Sequence, residues 1–485
     1  MALSSSMIAL LVLAIVVLVK NVVSRLQFNS KYRLPPEIPG WPIIGNTLDV
    51  PFPGGVWGHE MAKKYGEMFT CRLGGKTMVF LNSARVVSDL LEKRAAIYSS
   101  RPYRPMAQDI ASGGARMLLM GHSDRWRSQR KIMHSILNGQ QAESKFIPFE
   151  ELEVRQLVWD YLHTPDQFYT ANQRFSNSVI MSVIFGRRAQ LGDEQLTKML
   201  NIMMEFGQLL FSPTKNICDL FTWLTYLPKP IYQHEVDALS DRVSKGTAKP
   251  CFATALIEGT SKKEFNLTET EKLMIFSTLL EAGSDTSRTA ITQMVAAAAA
   301  FPEWAATARA HLDELCGHNA ERLPSFEDRE KLPYIAAVVK ETLRWRPFIQ
   351  TGVPHQLTQD DVYEGYRFPA GTMFTWNAYA LSLNEGDYPD AVRFNPERFL
   401  NDDLKSPLKG HWSFGTGRRV CVGYNVGFNN VWIAAACLLY CFDFEEDTEN
   451  PIDTLNTIWD SVEKPPFAVK IKPRSQAHAE LIKQK

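Results

Sequence analysis

One cysteine lies in a sequence environment that could do chemistry. Cys421 follows Arg418 and Arg419, and Gly417 and Gly423 stand on either side of it. Positive charge and free backbone N–H groups stabilise a thiolate, which is both a nucleophile and a soft metal ligand. The residues alone leave three interpretations of Cys421: a nucleophile, a single-thiolate metal ligand, or an inert thiol in a tight loop.

The other cysteines lack these features. Seven cysteines, an odd number in 485 residues, argue against a disulfide framework. No two of them have the C-x-x-C spacing, so a zinc site built on cysteine pairs is not expected. Cys437 and Cys441 lie in an apolar run and are typical of small core residues.

A second candidate site lies inside a predicted long helix. Thr268 and Glu271 have the spacing of a capping box, and no proline follows before Pro302, so we predict a helix over Glu269–Ala300. The helix is mostly apolar and should be buried, but its middle carries the polar segment Glu281–Ser287. Burying polar groups costs free energy unless they are hydrogen-bonded or take part in binding or catalysis. This segment is therefore a functional site, or else a solvent-facing stripe or a kink.

The composition favours one large, mainly helical domain. Hydrophobic residues make up 45% and charged residues 22%, which excludes a disordered chain. The 53 basic residues equal the 53 acidic ones, so the net charge gives no reason to expect nucleic acid. Beyond Pro42 there is no internal repeat or flexible linker, and the strand-like segments are short and scattered.

The N-terminus carries a candidate membrane anchor. The run from Met7 to Val19 is apolar, and the first charged residue is Lys20. With the uncharged residues before it, this stretch can just span a hydrocarbon core of about 30 Å. Basic residues follow the run and none precedes it, which keeps the remaining chain in the cytosol. A cleaved signal peptide or a peripheral segment is the alternative.

The loop around Cys421 resembles the haem-ligand loop of the cytochrome P450 family, F-x-x-G-x-R-x-C-x-G. Its fixed positions are matched by Phe414, Gly417, Arg419, Cys421 and Gly423. Further family motifs follow in the family's order: W-x-x-x-R at Trp126–Arg130, A-G-x-D-T-S at Ala282–Ser287, E-x-x-R at Glu341–Arg344 and P-E-R-F at Pro396–Phe399. The chain is identified as a member of this family over essentially its whole length.

The resemblance implies haem b, iron protoporphyrin IX, as the cofactor. Cys421 would be the metal ligand, because a thiolate pushes electron density onto haem iron. The implied cofactor-binding residues are Trp126, Arg130, His355, Phe414, Arg419, Cys421 and Gly423. Trp126, Arg130 and Arg419 would contact the haem propionates. His355 would share that task, although it could instead be a surface histidine.

Two further roles come from the resemblance. Asp285 and Thr286 would be the catalytic residues, relaying protons for oxygen activation. Glu341, Arg344 and Arg398 would form a buried structural triad, although the first two could instead be a surface ion pair. Their helix should begin near Pro333 and end before Pro347.

We therefore expect a mainly α fold with small β-sheets, the cytochrome P450 fold, as a single large haem-binding domain. Residues 1–23 would be the transmembrane anchor, residues 24–46 a basic and proline-rich hinge, and residues 47–485 the haem-thiolate catalytic domain. The expected location is the endoplasmic reticulum membrane, with a single-pass N-terminal anchor and a cytosolic catalytic domain.

The expected function is a monooxygenase that inserts one atom of O2 into a hydrophobic small molecule, a secondary metabolite. No G-x-G-x-x-G fingerprint occurs, so electrons from NADPH would come through a separate NADPH–cytochrome P450 reductase. Phe348–Val353 would lie beside the haem, with Gln350 and Thr351 orienting the substrate. Oxidative rearrangement, desaturation or coupling without oxygen insertion is the alternative, and a haem sensor without turnover is another.

Overall fold

The computed structural model describes residues 19–484, apart from residues 20–22, 25, 52, 194–196, 198–200, 202–205, 207–216, 221–266 and 455–463. The longer helices in these ranges are α1 (Gly55–Tyr65), α2 (Asp124–Leu137), α3 (Ile147–His163), α4 (Phe168–Phe185), α5 (Glu269–Ala300), α6 (Pro302–Cys316), α7 (Pro333–Trp345), α8 (Tyr424–Cys441) and α9 (Gln476–Lys483).

Short helical segments connect these helices. Those with α-helical geometry are Ala84–Val87, Ala95–Tyr98, Gly139–Gln141, Ile217–Leu220 and Ala378–Ser382. Those with π-helical geometry are Ser88–Lys93, Pro105–Ile110 and Ala142–Phe146. Those with 3₁₀ geometry are Pro165–Gln167, Phe326–Lys331, Pro396–Phe399, Asp402–Lys405 and Gly417–Arg419.

The strands form three small sheets. The strands are β1 (Met68–Leu73), β2 (Lys76–Leu81), β3 (His355–Gln356), β4 (Asp361–Tyr363), β5 (Tyr366–Phe368), β6 (Met373–Trp376), β7 (Phe442–Glu446) and β8 (Val469–Pro473). The largest sheet has the order β1-β2-β6-β3, and only its β2–β6 pair is parallel. β4 pairs with β5 and β7 with β8. The predicted fold class, mainly α with small sheets, is confirmed.

Helix α5 forms as predicted because its ends are encoded locally. The Thr268 N–H donates to Glu271 Oε2 (2.8 Å) and the Glu271 N–H donates to Thr268 Oγ1 (3.2 Å), which completes the capping box. The helix ends at Ala300, ahead of Pro302. It packs against α4, α7 and α8. The middle of α5 therefore lies among other helices, although Ala282 is exposed and Asp285 and Thr286 are partly exposed.

Helix α8 begins directly after the Cys421 loop and is buried along most of its length. A helix that is apolar all round belongs in a core. It packs against α3, α5 and α7. The Asn430 amide donates to Ser287 Oγ (3.3 Å), which ties α8 to the residue after Thr286. The loop motif and the α5 motif are thus held to one another through α8.

The Glu341–Arg344–Arg398 triad is buried, as the family resemblance implies. Arg344 Nε donates to Glu341 Oε2 (2.9 Å), and Arg398 Nε donates to Glu341 Oε1 (3.2 Å). The Asn395 N–H also donates to Glu341 Oε1 (2.8 Å). Glu341 and Arg344 are almost completely excluded from solvent, so the surface ion pair is wrong. The triad joins α7 to the Pro396–Phe399 turn and stiffens the core behind the cysteine loop.

The second half of the 24–46 segment packs on the large sheet. The Thr70 N–H donates to the Pro36 carbonyl (2.8 Å), and the Ile38 N–H donates to the Thr70 carbonyl (2.9 Å). These residues therefore form an extra extended edge beside β1. The predicted anchor run Met7–Val19 lies outside the described residues except for Val19. None of the helices in the described ranges combines the length and the apolar character that a membrane span needs.

Candidate cofactor-binding site

The Cys421 loop is held by a backbone hydrogen bond, a side-chain hydrogen bond and one position that requires glycine. The Cys421 N–H donates to the Phe414 carbonyl (2.8 Å) and closes the loop. Gly417 has a φ of +61°, and a Cβ there would overlap the Leu91 carbonyl oxygen. Thr416 Oγ1 donates to Glu92 on the same segment. The loop is thus clamped against residues 88–95, and the cysteine position is set by this clamp.

The Cys421 thiol faces a space within the protein. Cys421 is exposed, yet burial raises the pKa of its thiol. The Gly423 N–H and the Arg130 charge act on that pKa in the opposite direction. A thiol that has accessible surface but is surrounded by protein lines a space inside the molecule. Cys71, Cys316, Cys437 and Cys441 are instead buried, and burial raises the pKa of each.

Two predicted propionate-binding arginines contact the ring of one tryptophan near the cysteine. The Arg419 guanidinium carbon lies 4.0 Å from the centroid of the buried Trp126 ring, and that of Arg130 lies 5.5 Å away. Arg130 Nη2 donates to the Val420 carbonyl (2.7 Å), next to Cys421. Arg419 donates to the Ser99 and Met120 carbonyls, at 2.8 Å each. The structure therefore brings Trp126, Arg130 and Arg419 together at the loop.

Arg101 belongs to the same cluster, and sequence reasoning missed it. Arg101 Nη1 donates to the Pro354 carbonyl (2.9 Å), and Nε donates to the Leu118 carbonyl (3.1 Å). Burial and then the charge of Arg419 lower the pKa of Arg101. Burial and then Arg130 lower the pKa of Arg419 to about 9. No motif marks Arg101, because its partners lie in distant parts of the chain.

This cation cluster requires negative charge. Across the described ranges, no carboxylate forms an ion pair with Arg101, Arg130 or Arg419. Buried cations are costly unless they are paired. Two carboxylates of one ligand, such as the two propionates of haem, would supply that charge.

His355 is buried, so the surface-histidine alternative is wrong. Its Nδ1 lies 2.8 Å from the Tyr98 carbonyl, and its Nε2 is buried without a hydrogen-bond partner. Burial and then Arg101 lower the pKa of His355 well below its usual range. A carboxylate brought to Nε2 would favour the protonated ring and satisfy the unpartnered atom. The donor set of thiol, arginines and histidine therefore fits haem.

On α5, the predicted catalytic pair lies beside an exposed position of the helix. Thr286 Oγ1 donates to the Ala282 carbonyl (2.8 Å), and Ala282 is exposed, whereas the helix from Ser287 to Ala299 is buried. Gly283 packs on α4, where a Cβ would come within 2.9 Å of Ile180 Cγ1. Thr286 keeps lone pairs free to accept a further hydrogen bond.

The Asp285 carboxylate already has an ion-pair partner, which sequence reasoning also missed. Its Oδ1 forms an ion pair with Nη2 of Arg288, one turn further along α5. The spacing i, i+3 on a helix permits this contact, so the signal was present in the sequence. Asp285 is 28% exposed and Arg288 only 2%.

The segment Phe348–Val353 differs from the prediction in one respect. Gln350 Oε1 accepts a hydrogen bond from the Gly55 N–H (3.1 Å), so its amide oxygen binds α1 rather than a substrate. Gly352 is pressed against β6, where its N–H donates to the Trp376 carbonyl (2.8 Å) and a Cβ would overlap the Trp376 ring. Thr351 remains half-buried and available.

Comparison with known proteins supports the geometry. A family model described as Cytochrome P450 matches residues 35–472. The chain is 32% identical to the Aspergillus ruber cytochrome P450 monooxygenase fogE, over 92% of this chain and 88% of that one. It is 33% identical to a cytochrome P450 monooxygenase of Armillaria gallica, over 97% and 95%. A zebra fish cytochrome P450 solved with abiraterone is similar in fold, with a TM-score of 0.68 at 21% identity, covering 87% of this chain and 100% of that one.

Proposed function

The chain belongs to the cytochrome P450 family of monooxygenases, and we propose that it inserts one atom of O2 into a hydrophobic small molecule, a secondary metabolite. The observation that carries the proposal is the Asp285–Thr286 pair beside the exposed Ala282 of α5, on a helix tied to the one that follows Cys421. Enzymes that only rearrange a substrate need no such proton donors. The similarity to fungal monooxygenases supports a role in secondary metabolism.

The residues around Cys421 would hold haem b. Haem bound through the Cys421 thiolate supplies the iron at which O2 is activated, since thiolate donation favours O–O cleavage. Metal binding removes the thiol proton outright, which overcomes the effect of burial on that pKa. The Gly423 N–H and Arg130 stabilise the resulting negative charge. Phe414 closes one side of the loop through its carbonyl contact with Cys421.

The cation cluster would hold the propionates. Arg130 and Arg419 retain N–H groups beyond those that donate to backbone carbonyls. Arg101 and His355 belong to the same cluster, and the His355 Nε2 has no hydrogen-bond partner. Neutralising these cations with two carboxylates would fix the orientation of the haem ring and add to haem affinity.

Asp285 and Thr286 would manage protons. The balanced reaction is RH + O2 + NADPH + H⁺ → ROH + H2O + NADP⁺, so protons must reach the oxygen that becomes water. The Thr286 hydroxyl can turn its proton from the Ala282 carbonyl toward that oxygen, and it can take another proton from the Asp285 carboxyl. Ala282 and Gly283, which have small side chains, leave room beside this hydroxyl.

The electrons would come from NADPH–cytochrome P450 reductase. Arg127, Lys131 and Arg418 are exposed on α2 and on the Cys421 loop, and we propose that they form the face that the reductase contacts. The same proposal places the protein on the endoplasmic reticulum membrane through its N-terminal anchor, with the catalytic domain in the cytosol.

Isotope labelling distinguishes the proposal from its rivals. The purified full chain is combined with reductase and NADPH, a candidate hydrophobic substrate and ¹⁸O2. One labelled oxygen in the product is expected. A product without label favours rearrangement, desaturation or coupling, and the absence of any substrate-dependent NADPH use favours a sensor.

Two threonine variants test the proton role. Thr286→Ala should divert electrons from product to H2O2, because the inward proton donor is lost. Thr278→Ala is the matched control, since Thr278 Oγ1 makes the same type of hydrogen bond, to the Met274 carbonyl (2.7 Å), two turns earlier on α5. Equal diversion in both variants would show that helix geometry, and not the Thr286 hydroxyl, matters.

A further inference from the structure

We propose that a cavity lined by Arg346, the residue that follows α7, is a binding site for one small monovalent anion, namely chloride. The site is separate from the cation cluster at the Cys421 loop, because Arg101, Arg130 and Arg419 do not line this cavity. The proposal does not depend on the proposed monooxygenase function.

The Arg346 guanidinium is a buried cation that makes no hydrogen bond. Arg346 is 3% exposed, and its Nε, Nη1 and Nη2 atoms are all buried without a partner in the described chain. Its guanidinium carbon lies 4.9 Å from the centroid of the Trp345 ring, but a ring face does not satisfy these N–H groups. Leaving them unsatisfied is costly, so the structure calls for a ligand that accepts hydrogen bonds.

The charges around Arg346 do not balance. Burial lowers the pKa of Arg346 to about 10, which leaves the guanidinium charged at neutral pH. Of the neighbouring ions, Arg344 lowers that pKa further and Asp453 raises it. Arg344 itself shares the single carboxylate of Glu341 with Arg398. The three arginines of this group therefore face two carboxylates, and one bound monovalent anion would cancel the remaining positive charge.

Gln293 of α5 offers the anion a second donor. It lines the same cavity and is 2% exposed, and its Oε1 atom is buried without a hydrogen-bond partner. The oxygen and nitrogen of a side-chain amide exchange places by rotation about one bond, so the NH2 group of Gln293 can face the anion. An anion bound in this way would join α5 to the end of α7.

The size of the cavity limits the choice of anion. Its volume of about 30 Å³ accommodates roughly two water molecules. A halide ion fits such a space, whereas sulfate, phosphate or the carboxylate of a larger molecule does not. Water alone would satisfy the N–H groups of Arg346 but would leave the excess charge uncompensated.

Bromide and chloride test the site in the full chain with bound haem. Crystals soaked in sodium bromide should show an anomalous scattering peak within hydrogen-bond distance of the Arg346 guanidinium. Thermal unfolding is compared in sodium chloride and in sodium gluconate of equal ionic strength. The midpoint should be higher in chloride by roughly 2–3 °C when chloride is present at about a hundred times its dissociation constant.

Two variants and a control assign the effect to Arg346. Arg346→Gln should lose both the bromide peak and the chloride-dependent rise, because the guanidinium charge is gone. Gln293→Leu, which keeps that charge, should reduce the rise. Arg174→Gln is the control, since Arg174 is an equally buried arginine that already pairs with Glu153 and Asp160. It should lower the midpoint in both salts and leave the peak and the difference between the salts unchanged.

Two wild-type results would overturn the proposal: no bromide peak at Arg346, or equal midpoints in chloride and gluconate. A chloride-dependent rise of wild-type size in Arg346→Gln would also overturn it, because the responsive site would then lie elsewhere. If Arg346→Gln does not fold, the wild-type crystals and Gln293→Leu still decide the matter.

Discussion

Arg419 stacks on the indole of Trp126, with its guanidinium carbon 4.0 Å from the ring centroid. The contact fixes a half-buried cation in the Cys421 loop, with Arg130 on the same ring. Burial has already lowered the pKa of Arg419 to about 9, so a bound anion gains unusually strong attraction there.

Arg419→Gln should therefore weaken haem binding. A hydrogen bond to a charged group is worth about 1.5–3 kcal/mol, which corresponds to a roughly tenfold to hundredfold loss of affinity. Haem transfer to apomyoglobin measures the difference. Arg418→Gln is the matched control, because Arg418 is adjacent and exposed. An equal loss of haem in both variants would contradict the assignment of Arg419.

Gly417→Ala should prevent the Cys421 loop from forming. The left-handed φ of +61° costs a non-glycine residue about 1–2 kcal/mol, and the overlap with the Leu91 carbonyl oxygen adds to it. Haem incorporated per protein chain should fall strongly. Gly365→Ala provides the control, since Gly365 has a φ of +80° and a Cβ added there would meet no atom within 4 Å. Comparable haem loss in both would rule out the clamp.

His411 should make the Cys421 loop sensitive to acid. Burial and then Lys340 lower the pKa of His411 to about 3, and its Nδ1 accepts a hydrogen bond from the Ser413 N–H (3.3 Å). Between pH about 6.5 and 3 the unfolded chain binds one more proton than the folded chain at this residue. As the pH is lowered through that window, the free energy of unfolding should therefore fall by about 1.4 kcal/mol for each pH unit.

Urea unfolding at pH 7.5 and pH 5.5 checks this. The loss of stability on acidification should be smaller in His411→Gln than in the wild type, by about 1.4 kcal/mol. His318→Gln should not change the loss, because His318 is exposed. A pH response in His411→Gln identical to that of the wild type would contradict the role of His411.

Glu341→Gln should destabilise the fold by roughly 3–5 kcal/mol, because it leaves the buried Arg344 and the largely buried Arg398 without their shared anion. The comparison is Glu445→Gln, which breaks an exposed pair with Lys472 and should cost less than about 1 kcal/mol. Denaturant unfolding gives both values. Similar values for the two variants would mean that the triad contributes no more than a surface pair.

The parts of this protein that the sequence predicts are those encoded by neighbouring residues. The ends of α5 follow from Thr268, Glu271 and Pro302, and the Cys421 loop follows from a few consecutive residues. Arg101 could not be found in this way, because its partner Pro354 is 253 positions away. The sequence predicts a substrate contact for Gln350, because nothing near it in the chain shows that the Gly55 N–H binds its amide oxygen. Contacts between residues that lie this far apart in the sequence depend on how the helices and sheets pack.

Residue 421 itself gives the most direct test of the central claim. Full-length wild-type protein, reduced and treated with carbon monoxide, should show the red-shifted absorption of a thiolate-ligated haem. Cys421→Ser should lose that band, whereas Cys316→Ala, which changes a buried cysteine away from the loop, should keep it. A Cys421→Ser protein that retains the red-shifted band would show that another group ligates the iron.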